Sequence, residues 1–143
     1  MRLILIASLM CLWAVPALSN EDADTLTKAG IAGTTWAINC ANPPSKTNYY
    51  LFYGISPSGI PNETQKTIPG KEKVRELKNV QVISDEWLLY TLIDTDQEPV
   101  NILTKYSGDR HKSWWSVGKE GTSYIRDGKL IGEGAPPWFE KCK

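Results

Sequence analysis

From Gly33 onward the chain reads as short runs in which apolar and polar positions alternate, broken by clusters of Gly, Pro, Ser and Asp. A period of two marks a strand with one buried and one wet face. Thr34 to Cys40 sets Trp36, Ile38 and Cys40 on one face, and Thr35, Ala37 and Asn39 on the other. Tyr49 to Ile55 is aromatic and β-branched throughout, so both of its faces are expected to meet apolar groups. Lys73 to Ile83 carries Val80, Val82 and Ile83 after a charged approach; Ser84-Asp85 then turns the chain into Trp87 to Ile93. Pro99 to Tyr106 lines up Val100, Ile102, Thr104 and Tyr106. His111 to Val117 holds the adjacent Trp114 and Trp115, which strict alternation sends to opposite faces.

The last hairpin has the clearest local chemistry. Tyr124-Ile125-Arg126 and Lys129-Leu130-Ile131 flank Asp127-Gly128, and this dipeptide favours a two-residue turn with positive φ at both central positions. Ahead of the strands, residues 20–32 (NEDADTLTKAGIA) predict one or two helical turns, with Asp22 or Asp24 as cap and Gly33 as stop.

About eight strands at such spacing predict an all-β domain built as an antiparallel meander. A closed up-and-down barrel hides every sheet edge; a two-layer β-sandwich is the alternative, because sequence does not distinguish strand order around a closed ring from strand order across two layers. The core expected from alternation is Trp36, Ile38, Leu51, Tyr53, Val80, Val82, Leu89, Ile93, Ile102, Trp115, Ile125 and Leu130.

The start of the chain changes the setting. Arg2, the apolar stretch Leu3 to Val15 and Ala17-Leu18-Ser19 have the layout of a secretory signal peptide. Residues 1–19 are therefore assigned to the signal and 20–143 to one domain. The apolar stretch is shorter than the roughly 20 residues of a membrane-crossing helix, so no membrane span is expected. A lipid anchor at Cys11 is disfavoured by Met10, where a small residue belongs. A periplasmic or secreted location follows.

Once Cys11 leaves with the signal, Cys40 and Cys142 remain, and two cysteines in an oxidising compartment are expected to pair. In a closed barrel the first and last strands are neighbours. Pro43-Pro44 and Pro136-Pro137 each end strand pairing beside one of these cysteines, so the bridge would rivet the seam.

The chain holds 16 basic and 16 acidic residues, and removing Arg2 leaves it close to neutral. With no basic run to release counterions, nucleic acid is not an expected partner.

The short helical turn, then Gly33-Thr34-Thr35-Trp36 on the first strand, then the meander resemble the lipocalin and calycin barrels. Those proteins carry Gly-x-Trp, one residue shorter than the spacing here. WAINCANPPSKTNYYLFY, with SYIRDGKLIGEGAPPWFEKC at the far end, is similar to small exported proteins of Gram-negative bacteria without assigned activity. The first resemblance implies a ligand-holding barrel, the second an envelope or secreted domain.

Candidate chemistry is sparse. His111 stands between Arg110 and Lys112 and reads as an exposed strand-end residue. Asp94, Asp96 and Glu98 suit a hairpin loop better than a calcium loop, whose central Gly and terminal Glu are missing. Asn62-Glu63-Thr64 matches a glycosylation sequon but reads as a polar loop. No catalytic residue, metal site or cofactor is assigned. Aromatic residues suit a ligand that is part apolar and part polar, and Tyr53, Tyr90, Trp114 and Trp115 are the candidates to touch it. The expected function is non-enzymatic binding of a small, partly apolar ligand by a monomer. The alternative is an interaction or inhibitor module that offers an envelope protein the loops Ala41 to Asn48 and Pro61 to Lys73. A cavity of about 300 Å³ or more with convergent polar groups would favour the ligand.

Overall fold

Asn20 opens the helix α1 (Glu21–Lys28), its side chain accepting a hydrogen bond from the Asp22 amide at 3.0 Å. Glu21, Asp22 and Asp24 occupy the first turn and Lys28 the last, each charge matched to the helix dipole. Ala29 ends the helix and Gly30 follows at φ +69°, so the stop comes before Gly33. Asn20, not an aspartate, is the cap; Asp22 has other work. Its carboxylate accepts from the amides of Asn79 (3.1 Å) and Val80 (2.7 Å), where positive φ at Asn79 interrupts a strand. That contact pins the helix to the sheet.

The computed structural model describes residues 20–143; the expected signal peptide, residues 1–19, lies outside them. The described chain forms β1 (Thr34–Ala37), β2 (Tyr50–Ile55), β3 (Pro61–Ile68), β4 (Lys71–Ser84), β5 (Trp87–Ile93), β6 (Val100–Ser107), β7 (Arg110–Gly118), β8 (Ser123–Arg126), β9 (Lys129–Leu130) and β10 (Phe139–Cys142). β1 to β7 pair antiparallel in order, and β10 closes the ring between β7 and β1. This is the closed eight-strand barrel expected, not a sandwich.

Its membership differs from the expectation in two places. β3 is a ring strand where the sequence suggested a loop, so Asn62-Glu63-Thr64 lies within a strand and Pro61 to Lys73 is a hairpin. The β8–β9 hairpin hangs outside the ring. The free edge of β7 is shared, its Ser116–Val117 end pairing with β8 and its Arg110–His111 end with β10. The four residues Phe139–Cys142 complete the circle, so Cys142 lies within the closing strand.

The disulfide joins Cys40 to Cys142 with the Cα atoms 5.5 Å apart. β1 ends at Ala37 and the chain bends back at Ile38. Asn48 organises the loop that follows. Its side-chain NH2 donates to the carbonyls of Asn39 and Asn42, each at 3.0 Å, with that of Pro43 at 3.2 Å, and its side-chain oxygen accepts from the Asn39 backbone amide. The Tyr50 hydroxyl donates to the Asn42 carbonyl at 2.7 Å and lies 3.2 Å from that of Cys40.

Leu26, Ile31, Trp36, Leu51, Tyr53, Leu77, Val80, Leu88, Tyr90, Leu92 and Phe139 form the core, each residue of this size contributing about 1.5–3 kcal/mol when fully buried. Ile38 and Ile102 pack against it. Leu89 and Ile93, expected inside, are only half-buried: β5 is apolar on both faces, and its register gives the interior to Leu88, Tyr90 and Leu92. Val82 lies beyond the Asn79 irregularity and is exposed; Leu130 is exposed on the outer hairpin. Trp115 and Ile125 are half-buried.

Candidate ligand cavity

Alternation turns one residue in two of each ring strand inward, and at the end of the barrel away from α1 many of these are polar. There they line a partly open cavity of about 210 Å³, walled on the apolar side by Leu51, Leu92, Ile102 and Phe139. Tyr49, Tyr53, Tyr90, Gln65, Ser113, His111, Glu63 and Arg75 supply its polar lining. The volume falls short of the roughly 300 Å³ expected above for a ligand site, so any ligand held here is a small molecule.

Glu63 and Arg75 face each other directly across β3 and β4, and the Arg75 Nη2 donates to the Glu63 carboxylate. Glu63 is 4% exposed, so the pair is a buried one, and its two charges cancel within the wall. The Arg75 Nε is buried without a partner.

Tyr53 and Tyr90 both lie inside. Burial pushes the Tyr53 phenol well above its ordinary range and the Tyr90 phenol up to about 12, with the nearby Glu63 charge acting in the same direction on each. Both therefore remain neutral hydroxyls. Tyr49, at the rim, is raised by partial burial and by Glu63.

His111 is the largest departure from expectation. It is 3% exposed, not a surface residue. Neighbours in a strand point to opposite faces, so Arg110 and Lys112 lie outside while the imidazole points in. It is stacked on Phe139 at 5.3 Å, with Trp36 edge-on at 4.5 Å and Tyr106 at 5.2 Å. Burial lowers its pKa to about 3, so the ring is neutral. Neither nitrogen has a hydrogen-bond partner, a state that costs about 1–3 kcal/mol for each buried polar group left unpaired.

The four sequence-nominated ligand residues are not brought together. Tyr53 and Tyr90 line the cavity; Trp114 and Trp115 do not. The register of β6 and β7 shifts between Leu103 and Thr104, where Trp114 is the extra residue, and this bulge removes the strict alternation that had sent the two rings to opposite faces. Trp115 sits opposite the outward-facing Leu103. Trp114 packs edge-on against Trp87, with the ammonium groups of Lys105 and Lys112 over its ring at 4.9 and 5.2 Å.

The acidic cluster is dispersed too. Asp94 pairs with Lys73 at 2.5 Å, and that contact holds its carboxyl below the usual range. Glu98 accepts a hydrogen bond from the Tyr124 hydroxyl. Among the described residues, no group of three His, Cys, Asp or Glu side chains is placed to hold a metal ion.

Larger clefts, of about 500 and 430 Å³, lie beside α1 at the opposite end. They are surface grooves whose walls include exposed Lys28, Ser84, Asp85 and Glu86. The smaller interior cavity alone gathers the buried ion pair and the unpartnered imidazole.

Sequence reasoning missed Glu63, Arg75 and the inward face of His111. A partial signal exists for the first two: a hairpin folded about Pro69-Gly70 brings position 63 opposite 76, and the register shift between Lys66 and Ile68 moves its partner to Arg75.

Comparison with family models, with curated proteins and with solved structures finds no match to this chain. No helix among the described residues is long and apolar enough to cross a membrane.

Proposed function

We propose that this is a non-enzymatic, lipocalin-like barrel that binds one small, partly apolar ligand at the end of the barrel away from α1. The observation that carries the reading is the composition of the cavity wall. Four apolar side chains face a buried Glu63–Arg75 pair and an imidazole with two unused nitrogens. Apolar surface with a few fixed polar groups is the general make-up of a small-molecule site.

Binding is favoured over catalysis because the polar groups are not arranged as a reacting set. His111 has no hydrogen-bonded partner to orient it as a base, and the Glu63 carboxylate is engaged by Arg75. A periplasmic or secreted setting suits the Cys40–Cys142 bridge, since disulfides persist in oxidising compartments. The domain would act there as a monomer.

The interaction-module reading has one observation of its own. Pro44, Tyr50 and Phe52 line an outer groove beside the loop that Asn48 fixes, and Phe52 is 42% exposed.

Native mass spectrometry of the protein recovered from its producing cell separates the two. A retained small mass at one per chain, lost when Leu92→Trp fills the cavity, supports the ligand reading. A bare chain co-purifying with a protein released by Phe52→Asp would replace it.

A further inference from the structure

His111 lines the cavity in an unusual condition for a buried polar residue. Its ring is held by Trp36, Tyr106 and Phe139, and it is nine-tenths or more buried. Neither nitrogen meets a protein donor or acceptor. A neutral imidazole offers one N–H donor and one bare acceptor.

A hydroxyl can answer either of them, donating to the bare nitrogen or accepting from the N–H. The remaining wall restricts the rest of the ligand. At about 210 Å³ the space exceeds the roughly 150 Å³ of an apolar cavity that takes up benzene, by little more than a few substituent atoms. The charges facing it are already matched, Glu63 with Arg75 and, nearby, Asp94 with Lys73. A charged ligand would be desolvated without an unpaired counter-charge.

We propose that the cavity takes a small, uncharged aromatic molecule bearing a hydroxyl, and that His111 reads that hydroxyl. This rests on the ligand reading above and names the ligand's class.

Three probes of one ring size test it: phenol, toluene and benzoate, each titrated into the purified, disulfide-bonded protein. The readouts are calorimetry and the ring-nitrogen resonances of His111. Phenol should bind and shift a ring nitrogen. Toluene should bind about tenfold more weakly, as expected for one lost hydrogen bond. Benzoate should bind more weakly still. His111→Phe keeps an aromatic ring against Phe139 and should reduce phenol to the affinity of toluene. The nitrogen shift in the unaltered protein gives the same answer if that variant does not fold.

Equal binding of phenol and toluene, or no nitrogen shift with phenol, overturns the role of His111 while the cavity stands as a binding site. Tightest binding of benzoate overturns the uncharged class. If none of the three binds, the ligand reading falls with it.

Discussion

Two hairpins of this barrel look opposite in sequence and have opposite fates in the fold. β8–β9 carries the clearest turn chemistry, with Asp127 and Gly128 both at positive φ, yet it lies outside the ring with Leu130 and Ile131 exposed. β3–β4 begins with the almost wholly polar stretch Pro61–Thr67, yet both its strands are ring members and it places Glu63 and Arg75 against the cavity. Local turn chemistry decides whether two strands fold back on each other. What lies inside depends on which faces the closed ring turns inward.

That contrast gives graded tests. Glu63→Ala leaves Arg75 as an unpaired charge in the wall and should cost about 3–5 kcal/mol in chemical denaturation, whereas the paired exchange Glu63→Leu with Arg75→Met should be near neutral. If Glu63→Ala costs less than 1 kcal/mol, the pair is not buried (~0.2–1 kcal/mol is the range of exposed pairs). Cys142→Ser opens a bridge between residues 102 apart and should cost about 2–5 kcal/mol by the same assay. Mass spectrometry finding two free thiols in the purified protein would remove the seam itself.

Gly128→Val acts on the outer hairpin. Gly128 has φ +70°, its amide donates to the Trp114 carbonyl, and a Cβ there would approach the Trp114 ring to 3.0 Å. A β-branched residue resists that backbone conformation, so a loss of about 1–3 kcal/mol is expected. The ring should survive with its cavity intact, which phenol binding by the variant would report. The smallest effect is expected from Leu130→Ser, within about 0.5 kcal/mol, because the side chain is exposed.

The sequence held much of the fold and little of the site. Strand periodicity showed β1, β2 and β4 to β7, and the cysteines with their neighbouring prolines marked the seam. β3 was hidden because its inward residues, Glu63 and Gln65, are polar, and alternation is visible only when the buried face is apolar. β10 was hidden because four residues hold too short a pattern; their place is set by pairing with β1 and β7. For His111, flanking cations suggested exposure, although flanking residues in a strand belong to the other face. The Trp114–Trp115 pair misled in the reverse direction, since one bulged residue cancels the alternation that the sequence implied.

Acid stability carries the interior placement of His111 into solution. The folded pKa of about 3 lies below the ordinary 6.5, so between these values the unfolded chain binds a proton that the folded one refuses. Stability should then rise with pH across that window, by up to about 1.4 kcal/mol per pH unit for one proton. Asp94, held low by Lys73, adds loss only near and below its own ordinary range. His111→Phe should flatten the slope between about pH 4.5 and 6.5 and leave the more acidic limb.

The most direct measurement is an NMR titration of the single imidazole in the folded protein. Ring-nitrogen shifts that stay in the neutral form down to about pH 4, with close contacts from the ring to Phe139 and Trp36, are the result expected from a barrel closed by β10 over an inward His111. A midpoint near 6.5 without those contacts would place His111 in solvent and contradict both the closure and the cavity.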